Sequence, residues 1–427
     1  MEETYPLAQV ADILSIPKAI LHKWEKNGKL IPTLNAKTGK KEYTKTQLEI
    51  FEPARAMYNT QWDKEQKISP IKTYNGIELF AGAGGLALGL EKAGMYSFML
   101  NEIDKQACST LRHNRPKWNV VEGDVLDIDF SLYDGKIDWL SGGFPCQAFS
   151  YAGKKLGFED TRGTLFHEFC RALNECSPKI FFAENVKGLM SHDEGRTLDT
   201  IKSVMVDIGY TLIEPKVLKA IFYKVPQKRE RLIIVGVRND LAHISVFSWP
   251  SPYKKIMTVK DALKKGDLYN CDVPISLGQK YPKRKCEILS YVPQGGYWRD
   301  LPDDLQREYM QKSYYLGGGK TGMARRLSLD EPSLTLTCSP AQKQTERCHP
   351  TETRPLTVRE YARIQTFPDD WEFLGSMSHQ YKQIGNAVPV NLSHAIGRSL
   401  VGLLNNITEH EANNQKFTNA ENPGNGA

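Results

Sequence analysis

The sequence has no apolar run near the ~20 residues needed to cross a bilayer, which excludes a transmembrane protein. The first residues, MEETYPLAQVADIL, carry acids where a secretory signal has basic residues, so export is not expected. The eight cysteines contain no Cys-x-x-Cys pair, which argues against a zinc ribbon and against a disulfide framework. We therefore expect reduced thiols, no bound metal and a cytoplasmic location.

Net charge is also small, because 56 Lys and Arg face 50 Asp and Glu in 427 residues, a balance of +6. The excess is unevenly placed. Residues 18–45 hold eight lysines against two glutamates, and residues 253–299 hold ten Lys and Arg against four acids. Two basic segments on a balanced background suggest two polyanion contacts, although a solvated lysine-rich surface explains either segment equally well.

Residues 1–58 have the pattern of a small helical module. Apolar residues at helical spacing predict a helix over residues 7–14 and a second over residues 19–26, which Asn27-Gly28 ends. A turn follows, and Thr44 is placed to cap a third helix. This order resembles the winged helix-turn-helix domains of the MerR and excisionase group, with a helical dimerisation or docking cap as the alternative. The side chains expected to contact DNA here are Lys18, Lys23 and Lys26.

Beyond a polar segment at residues 59–74, which is predicted to be a linker, short apolar runs alternate with helix-like stretches. This alternation is typical of a parallel doubly wound α/β sheet. The predicted strands are residues 77–80, 97–102, 119–124, 136–143, 179–185 and 231–237.

The α/β pattern stops after about residue 244. Residues 245–353 are loop-rich and basic, and amphipathic helices return within residues 354–404. Residues 405–427 are rich in Asn without an apolar pattern, so a disordered tail is predicted. We therefore expect one α/β domain over residues 75–244 that is completed by residues 354–404, with a separate segment inserted between them.

The first motif with chemical meaning is the glycine-rich segment Phe80-Ala-Gly-Ala-Gly-Gly85, which follows a predicted strand and opens a helix. Glu102 ends the next strand, where an acid can bind ribose hydroxyls, and Asp124 ends the third. A nicotinamide cofactor would satisfy the same geometry, but Gly-x-Gly-Gly departs from the dinucleotide spacing. Either acid alone is as easily a helix cap or a solvated side chain.

A second group of motifs lies at the ends of later strands. Cys146 follows Pro145 at a strand end, which makes it a candidate nucleophile. Glu184 ends the next strand and is a candidate acid. Arg229 and Arg231 alternate in an extended segment, so both are expected to point at Cys146 and Glu184.

These elements together resemble the DNA (cytosine-5) methyltransferases, through PCQ (145–147), ENV (184–186) and QKRER (227–231), over residues 75–240 and 354–404. The resemblance implies a Rossmann-like S-adenosylmethionine-dependent methyltransferase domain and a smaller target-recognition domain at residues 245–353. It implies S-adenosylmethionine as cofactor, with the adenine on Phe80 and the ribose on Glu102. The residues it assigns to the cofactor are Phe80, Gly82, Gly84, Gly85, Glu102, Ile103, Asp124, Val125, Pro145, Leu165, Asn386 and Val388.

The resemblance also implies a mechanism, in which the Cys146 thiolate attacks C6 of a flipped-out cytosine and Glu184 holds N3. Arg231, supported by Arg229, holds O2. Residues 147–163, including Ser150, resemble the loop that closes over the DNA. Ala152 stands where some members carry a polar residue that enters the space left by the base, so that space must be filled from elsewhere.

We expect a sequence-specific DNA methyltransferase, encoded by a bacterium or phage and paired with a restriction enzyme. It would act as a monomer on double-stranded DNA, while its N-terminal module would dimerise at an operator and repress its own operon. An RNA cytosine methyltransferase, or a DNA-binding regulator with a silent catalytic domain, is the alternative. The recognition sequence cannot be read from the chain.

Overall fold

The computed structural model of the protein describes residues 3–35, 39–144 and 164–421. The chain divides into two compact units. The N-terminal unit comprises Met1–Gln66, Ile221–Lys228 and Ser251–Thr366, and the sheet unit comprises Lys67–Ala220, Arg229–Pro250 and Phe367–Ala427.

Strands and helices alternate through most of the described chain. The strands are β1 Thr4–Pro6, β2 Thr33–Leu34, β3 Lys41–Thr44, β4 Asn75–Leu79, β5 Tyr96–Glu102, β6 Val120–Glu122, β7 Trp139–Gly142, β8 Ile180–Val186, β9 Tyr210–Lys219, β10 Gln227–Lys228, β11 Glu230–Arg238 and β12 Ser333–Leu334. The helices are α1 Leu7–Leu14, α2 Lys18–Lys26, α3 Lys45–Leu48, α4 Glu52–Tyr58, α5 Trp62–Glu65, α6 Gly85–Lys92, α7 Lys105–Asn114, α8 Leu165–Cys176, α9 Arg196–Asp207, α10 Asn239–Ala242, α11 Val259–Leu263, α12 Lys283–Ser290, α13 Asp303–Met310, α14 Val358–Ile364, α15 Met377–Asn386 and α16 Val390–Glu421. Short 3₁₀ helices include Val125–Asp127, Phe130–Tyr133 and Lys187–Gly195. None of the helices in the described part of the chain is both long and apolar enough to span a bilayer.

The sheet unit is built on a seven-stranded sheet in the order β6-β5-β4-β7-β8-β11-β9. The first five strands pair in parallel, as predicted, but β11 pairs antiparallel with both β8 and β9. The prediction of a wholly parallel sheet is therefore wrong at this end. The physical reason is the connection from β9 to β11, residues 220–229, which is shorter than the dozen or more residues that a parallel crossover needs.

Strand β9 was not predicted from the sequence. It lies at the edge of the sheet, and most of its residues are only partly buried. Its sequence contains Pro215, which an edge strand tolerates because one side of the strand forms no ladder. A mixed pattern of this kind does not produce the apolar run by which the central strands were recognised.

Helices α6 and α16 pack closely because α6 carries glycines on the contact face. A Cβ added at Gly89 would lie 2.3 Å from the Cβ of Ser393 and 2.7 Å from the backbone N of His394. A Cβ at Gly85 would lie 2.4 Å from the carbonyl oxygen of Val388. The predicted return of residues 354–404 to the α/β domain agrees only in part, since residues 354–366 belong to the N-terminal unit and the sheet unit resumes at Phe367. The contact of α6 with this returning segment depends on its glycines.

The C-terminal residues correct the sequence prediction of a disordered tail. Helix α16 continues to Glu421, and Ile407 is fully buried. The Asn405 side chain accepts hydrogen bonds from the backbone N–H of Ile71 at 3.2 Å and the hydroxyl of Tyr74 at 2.8 Å. The prediction is wrong as far as residue 421, because these residues continue α16, within which Asn405 forms specific hydrogen bonds.

In the N-terminal unit, β1, β3 and β2 form an antiparallel sheet beside α1 and α2. Ser15 ends α1 in the left-handed conformation, and Asn27 caps the end of α2, near the predicted boundaries. The Thr44 side chain accepts a hydrogen bond from the backbone of Gln47, which confirms that Thr44 caps a third helix. Two helices and a hairpin therefore lie where the sequence indicated them.

The predicted linker at residues 59–74 is partly wrong. Residues 62–65 form α5, and Trp62 is buried with its ring against Tyr253. The Glu65 carboxylate accepts hydrogen bonds from the backbone N–H of Ser251. The segment was judged by its polar composition, but its one large aromatic side chain anchors it within the N-terminal unit.

We predict that Gly89→Ala destabilises the protein, although alanine normally favours a helix interior over glycine by about 1 kcal/mol. The added methyl would press on the backbone of α16, and overpacking of this kind costs about 1–3 kcal/mol. Urea unfolding measures the change. Gly266→Ala is the control, because a Cβ there meets no atom within 4 Å. Equal stability of the two variants would contradict the prediction.

Candidate active site

The carboxyl ends of five parallel strands meet at one edge of the sheet. The register pairs Leu79 of β4 with Asn101 of β5 and with Gly142 of β7, and it pairs Gly142 with Ala183 of β8. Ligands bind at this edge in open α/β sheets. The pairing therefore brings the glycine-rich segment, Glu102 and Glu184 to the same edge, as the sequence predicted.

The turn after β4 has a backbone suited to close approach by a ligand. Phe80 adopts a left-handed conformation with φ 59°, and Gly82 and Gly84 follow with φ 54° and 84°. A Cβ at Gly82 would meet nothing within 4 Å, whereas one at Gly84 would lie 2.7 Å from the Leu111 side chain. Glycine is therefore required at Gly82 by conformation, and at Gly84 by both conformation and space.

The Glu102 carboxylate is held in place by two backbone amides. Its Oε2 accepts a hydrogen bond from the N–H of Gly82 at 2.7 Å, and its Oε1 accepts one from the N–H of Asp104 at 2.8 Å. Each carboxylate oxygen can accept a second hydrogen bond, so both remain available to hydroxyl donors. The cap of α7 is Asp104, which removes the helix-cap alternative for Glu102.

Asp124 differs from Glu102, because the helix-cap interpretation does apply to it. Its Oδ1 accepts a hydrogen bond from the N–H of Leu126 at 3.1 Å and caps a short 3₁₀ helix.

Two large apolar side chains are exposed beside these acids: Ile103 at 65 % and Leu126 at 60 %. Leu126 was missed by sequence reasoning, although an apolar residue directly after the strand-end segment was the available signal.

A buried carboxyl lies beneath the glycine-rich turn. Glu78 is in the middle of β4, and burial raises its pKa well above the usual range, against a lowering contribution from the backbone N–H of Ala87. The nearby charge of Glu102 raises the pKa further. Burial therefore disfavours a second negative charge next to that of Glu102.

Glu184 and Arg231 form an ion pair, and only 12 % and 11 % of their side chains are exposed. A Cβ added at Gly143 would lie 3.0 Å from Oε2 of Glu184, so glycine leaves room for this carboxylate. Removal of one partner from a buried pair leaves an uncompensated charge, which costs roughly 3–5 kcal/mol. Arg231 therefore holds the Glu184 side chain in one orientation.

Arg229 lies between β10 and β11, two residues before Arg231. Its guanidinium is buried and donates hydrogen bonds to the carbonyl oxygens of Gly385 at 3.0 Å and Asn386 at 3.5 Å. That Arg229 and Arg231 both point at Cys146 stays a prediction, because Cys146 lies outside the described residues. Arg229 binds the last residues of α15, at the turn after Asn386.

The remaining predicted cofactor residues are near this turn or in the core. Val388 is almost fully buried, and its carbonyl oxygen faces Gly85, whereas Asn386 is exposed. Val125 is buried, and Leu165 packs partly buried against the main core. Pro145, Cys146 and Ser150 lie outside the described residues, as does all of 145–163.

Asn185 is a site residue that sequence reasoning missed. Its Nδ2 donates a hydrogen bond to the carbonyl oxygen of Phe144 at 2.9 Å, and it is buried. Phe144 is also packed between Phe166 and Phe169, with ring centroids 5.2 and 5.5 Å away. The chain is thus fixed at the residue before Pro145-Cys146. The position of Asn185 next to Glu184 in the sequence was the signal that could have identified it.

The lysines predicted to contact DNA lie on α2 of the N-terminal unit. Lys18 pairs with Glu331, its Nζ lying 2.7 Å from Oε1. Lys23 and Lys26 are exposed on the same helix. The ion pair gives Lys18 a role within the protein that the sequence did not indicate.

Comparisons with known proteins identify the family of the chain. A family model described as C-5 cytosine-specific DNA methylase matches residues 74–402. Type II methyltransferase M.Eco47II of Escherichia coli is 68% identical over 96% of this chain and 98% of its own length. Type II methyltransferase M.PspPI of Psychrobacter sp. (strain TA137) is 63% identical over 94% of this chain and 96% of its own. The Dnmt2 methyltransferase structure of S. pombe has a TM-score of 0.52 at 17% identity, over 78% of this chain and 98% of its own, which shows a common fold.

We predict that Asn185→Ala lowers the free energy of unfolding by about 1–3 kcal/mol, because the buried carbonyl of Phe144 loses its donor. Asn119→Ala is the matched control, since Asn119 donates to the carbonyl of Phe98 at 3.3 Å from an exposed position. Its loss should be within about 0.5 kcal/mol. Urea unfolding of both variants is the measurement. Similar losses of unfolding free energy in the two variants would contradict the prediction.

Proposed function

The chain belongs to the C-5 cytosine-specific DNA methylase family and is thus a DNA (cytosine-5) methyltransferase, and on this premise we propose a specific target and mechanism. It methylates C5 of a cytosine within a defined sequence of duplex DNA. It serves as the modification enzyme of a bacterial restriction–modification pair, in keeping with the Type II relatives. The observation that carries the proposal is the Glu184–Arg231 pair beside Gly143, at the strand edge that leads into Cys146.

S-adenosylmethionine fits the residues at the glycine-rich turn. The Glu102 carboxylate is oriented by two amides and retains capacity for two ribose hydroxyls. Ile103 and Leu126 offer apolar surface for adenine, with Phe80 on the turn itself. Asp124 retains one carboxylate oxygen for the adenine amino group. The bound cofactor would supply an electrophilic methyl group carried on a sulfonium.

The protein's own residues must make C5 of cytosine nucleophilic, since that carbon is unreactive in the aromatic ring. The Cys146 thiolate forms a bond to C6, and the electron pair of the C5–C6 double bond is displaced toward the ring carbonyl and N3. Glu184, bearing a proton, donates it to N3, and Arg231 stabilises the negative charge at O2. A base then removes the proton from the methylated C5, the bond from Cys146 to C6 breaks to release the thiolate, and N3 returns its proton to Glu184.

The cytosine must leave the helix for this chemistry, because its C6 face is stacked in duplex DNA. We propose that residues 147–163, including Ser150, close over the flipped base, and that residues 245–353 read the sequence. The basic charge of residues 253–299 supports a contact with the phosphate backbone. Lys23 and Lys26 add cations on the N-terminal unit.

We predict that Cys146→Ala abolishes methyl transfer to duplex DNA and leaves cofactor binding close to that of the wild type. The physical reason is that Cys146 bonds to the base, whereas the proposed adenosine contacts come from the turn and β5. Transfer of tritiated methyl groups and calorimetric titration with the cofactor give the two readings. Retained turnover in Cys146→Ala would overturn the mechanism.

We predict that Glu102→Ala weakens S-adenosylmethionine binding by about 1.5–3 kcal/mol, the value of hydrogen bonds to a charged group. Glu122→Ala is the control, because Glu122 ends the neighbouring strand in register with Glu102 and its carboxylate pairs with Arg112 at 2.7 Å. Titration calorimetry should show a near-unchanged affinity for the control. Equal affinities in both variants would remove Glu102 from the cofactor site.

A further inference from the structure

Four charged side chains meet inside the N-terminal unit, far from each other in sequence. The Nζ of Lys228 lies 2.6 Å from Oδ1 of Asp12 and 3.9 Å from Oε2 of Glu331. The Nζ of Lys18 lies 2.7 Å from the other oxygen of Glu331. Asp12 and Lys18 belong to α1 and α2, whereas Lys228 and Glu331 belong to β10 and the segment before β12. The cluster therefore ties the predicted DNA-binding module to two later segments of the chain.

The two carboxylates of this cluster are largely buried, so the loss of a cation beside them would be costly. The Asp12 side chain is 9 % exposed and that of Glu331 21 %. Burial raises the pKa of Asp12, and the charge of Lys228 opposes this rise. Burial also disfavours the charged form of Glu331, but Lys18 and Lys228 together lower its pKa. Loss of Lys228 would leave Asp12 desolvated without its cation, which is costly.

Apolar packing joins the same segments. The core around α1, α2 and α4 includes Ile221 and Ile256, which are buried at 5 % and 2 % exposure, together with Phe222. Neither residue 221 nor residue 256 belongs to the predicted module at residues 1–58. Removal of that module would expose this core, so the module is structurally part of the N-terminal unit.

Lys228 lies in β10, which pairs with β12 and directly precedes Arg229 in the sequence. Strand β10 pairs in parallel with β12, Lys228 opposite Leu334, and the side-chain oxygen of Gln227 accepts a hydrogen bond from the N–H of Leu336 at 2.9 Å. The next residue in the chain is Arg229, and Arg231 follows two positions later. The peptide chain is therefore the direct link from β10 to the segment that carries both arginines.

We propose that Asp12 is a positioning residue for methylation: through its ion pair with Lys228 it fixes the strand that leads into Arg229 and Arg231. This inference rests on the proposed function. It gives residues 1–58 a part in catalysis itself, in contrast to a detachable operator-binding module. It also accounts for Lys18, whose charge balances Glu331 within the same cluster.

The test uses the full chain with Asp12→Asn, Lys228→Met and the reversed pair Asp12→Lys/Lys228→Asp. Each single substitution should lower kcat on duplex DNA by about 10- to 100-fold, the range expected when remote positioning is lost. The KM for S-adenosylmethionine should stay within about twofold, because the turn and β5 are untouched. The reversed pair should recover most of kcat, since it restores one attraction between the two positions.

Asp63→Asn is the matched control, because it makes the same chemical change at an exposed carboxylate of the same unit. Rates are measured below the unfolding temperature of every variant, which circular dichroism establishes. Wild-type kcat in Asp12→Asn, or a loss that appears only as lower stability and is not restored by the reversed pair, overturns the inference. Absence of methylation by the wild type would instead overturn the proposed function.

Discussion

The parallel pairing of β4 with β5 and β7 is the constraint on which the site depends. It places the ends of these strands, and of β8, at one edge, so that residues distant in sequence meet there. A slip of one residue in this register would turn each strand-end side chain to the opposite face of the sheet. Glu102 and Glu184 owe their positions to this pairing more than to their immediate neighbours in sequence.

Local contacts then hold the site residues at that edge. Positive φ angles at Phe80, Gly82 and Gly84 turn the backbone so that an amide reaches Glu102. Asn185 holds the carbonyl of Phe144, and the Glu184–Arg231 pair lies beside Gly143. The contacts at Glu102 and Phe144 use backbone groups, whereas Glu184 and Arg231 hold each other by their side chains.

Sequence patterns predicted the features that depend on short segments. The central strands, the glycine-rich turn, the Thr44 cap and the acids at strand ends were all legible, because each has a local physical cause. Features that depend on contacts between residues far apart in the sequence were not predicted. The ion pair of Lys18 with Glu331 joins residues 313 positions apart, and the antiparallel placement of β11 depends on a connection that carries no such signal.

Composition misled in two places where packing decides. The Asn-rich C-terminal segment is helical through Glu421, and the polar segment before β4 is anchored by Trp62. In both cases a few specific contacts outweigh the average polarity of the segment. The same lesson applies to the N-terminal helices, whose lysines suggested nucleic acid while their apolar residues join a core with Ile221 and Ile256.

The central claim is that Cys146 bonds covalently to C6 of the target cytosine, and a duplex with 5-fluorocytosine in the recognition sequence tests it most directly. Fluorine at C5 cannot leave as a proton does, so the bond between Cys146 and C6 cannot break after methylation. The account predicts, in the presence of S-adenosylmethionine, a protein–DNA complex that survives denaturation and is absent with Cys146→Ala. Methylation of ordinary duplex DNA without any such complex on the fluorinated duplex would contradict it.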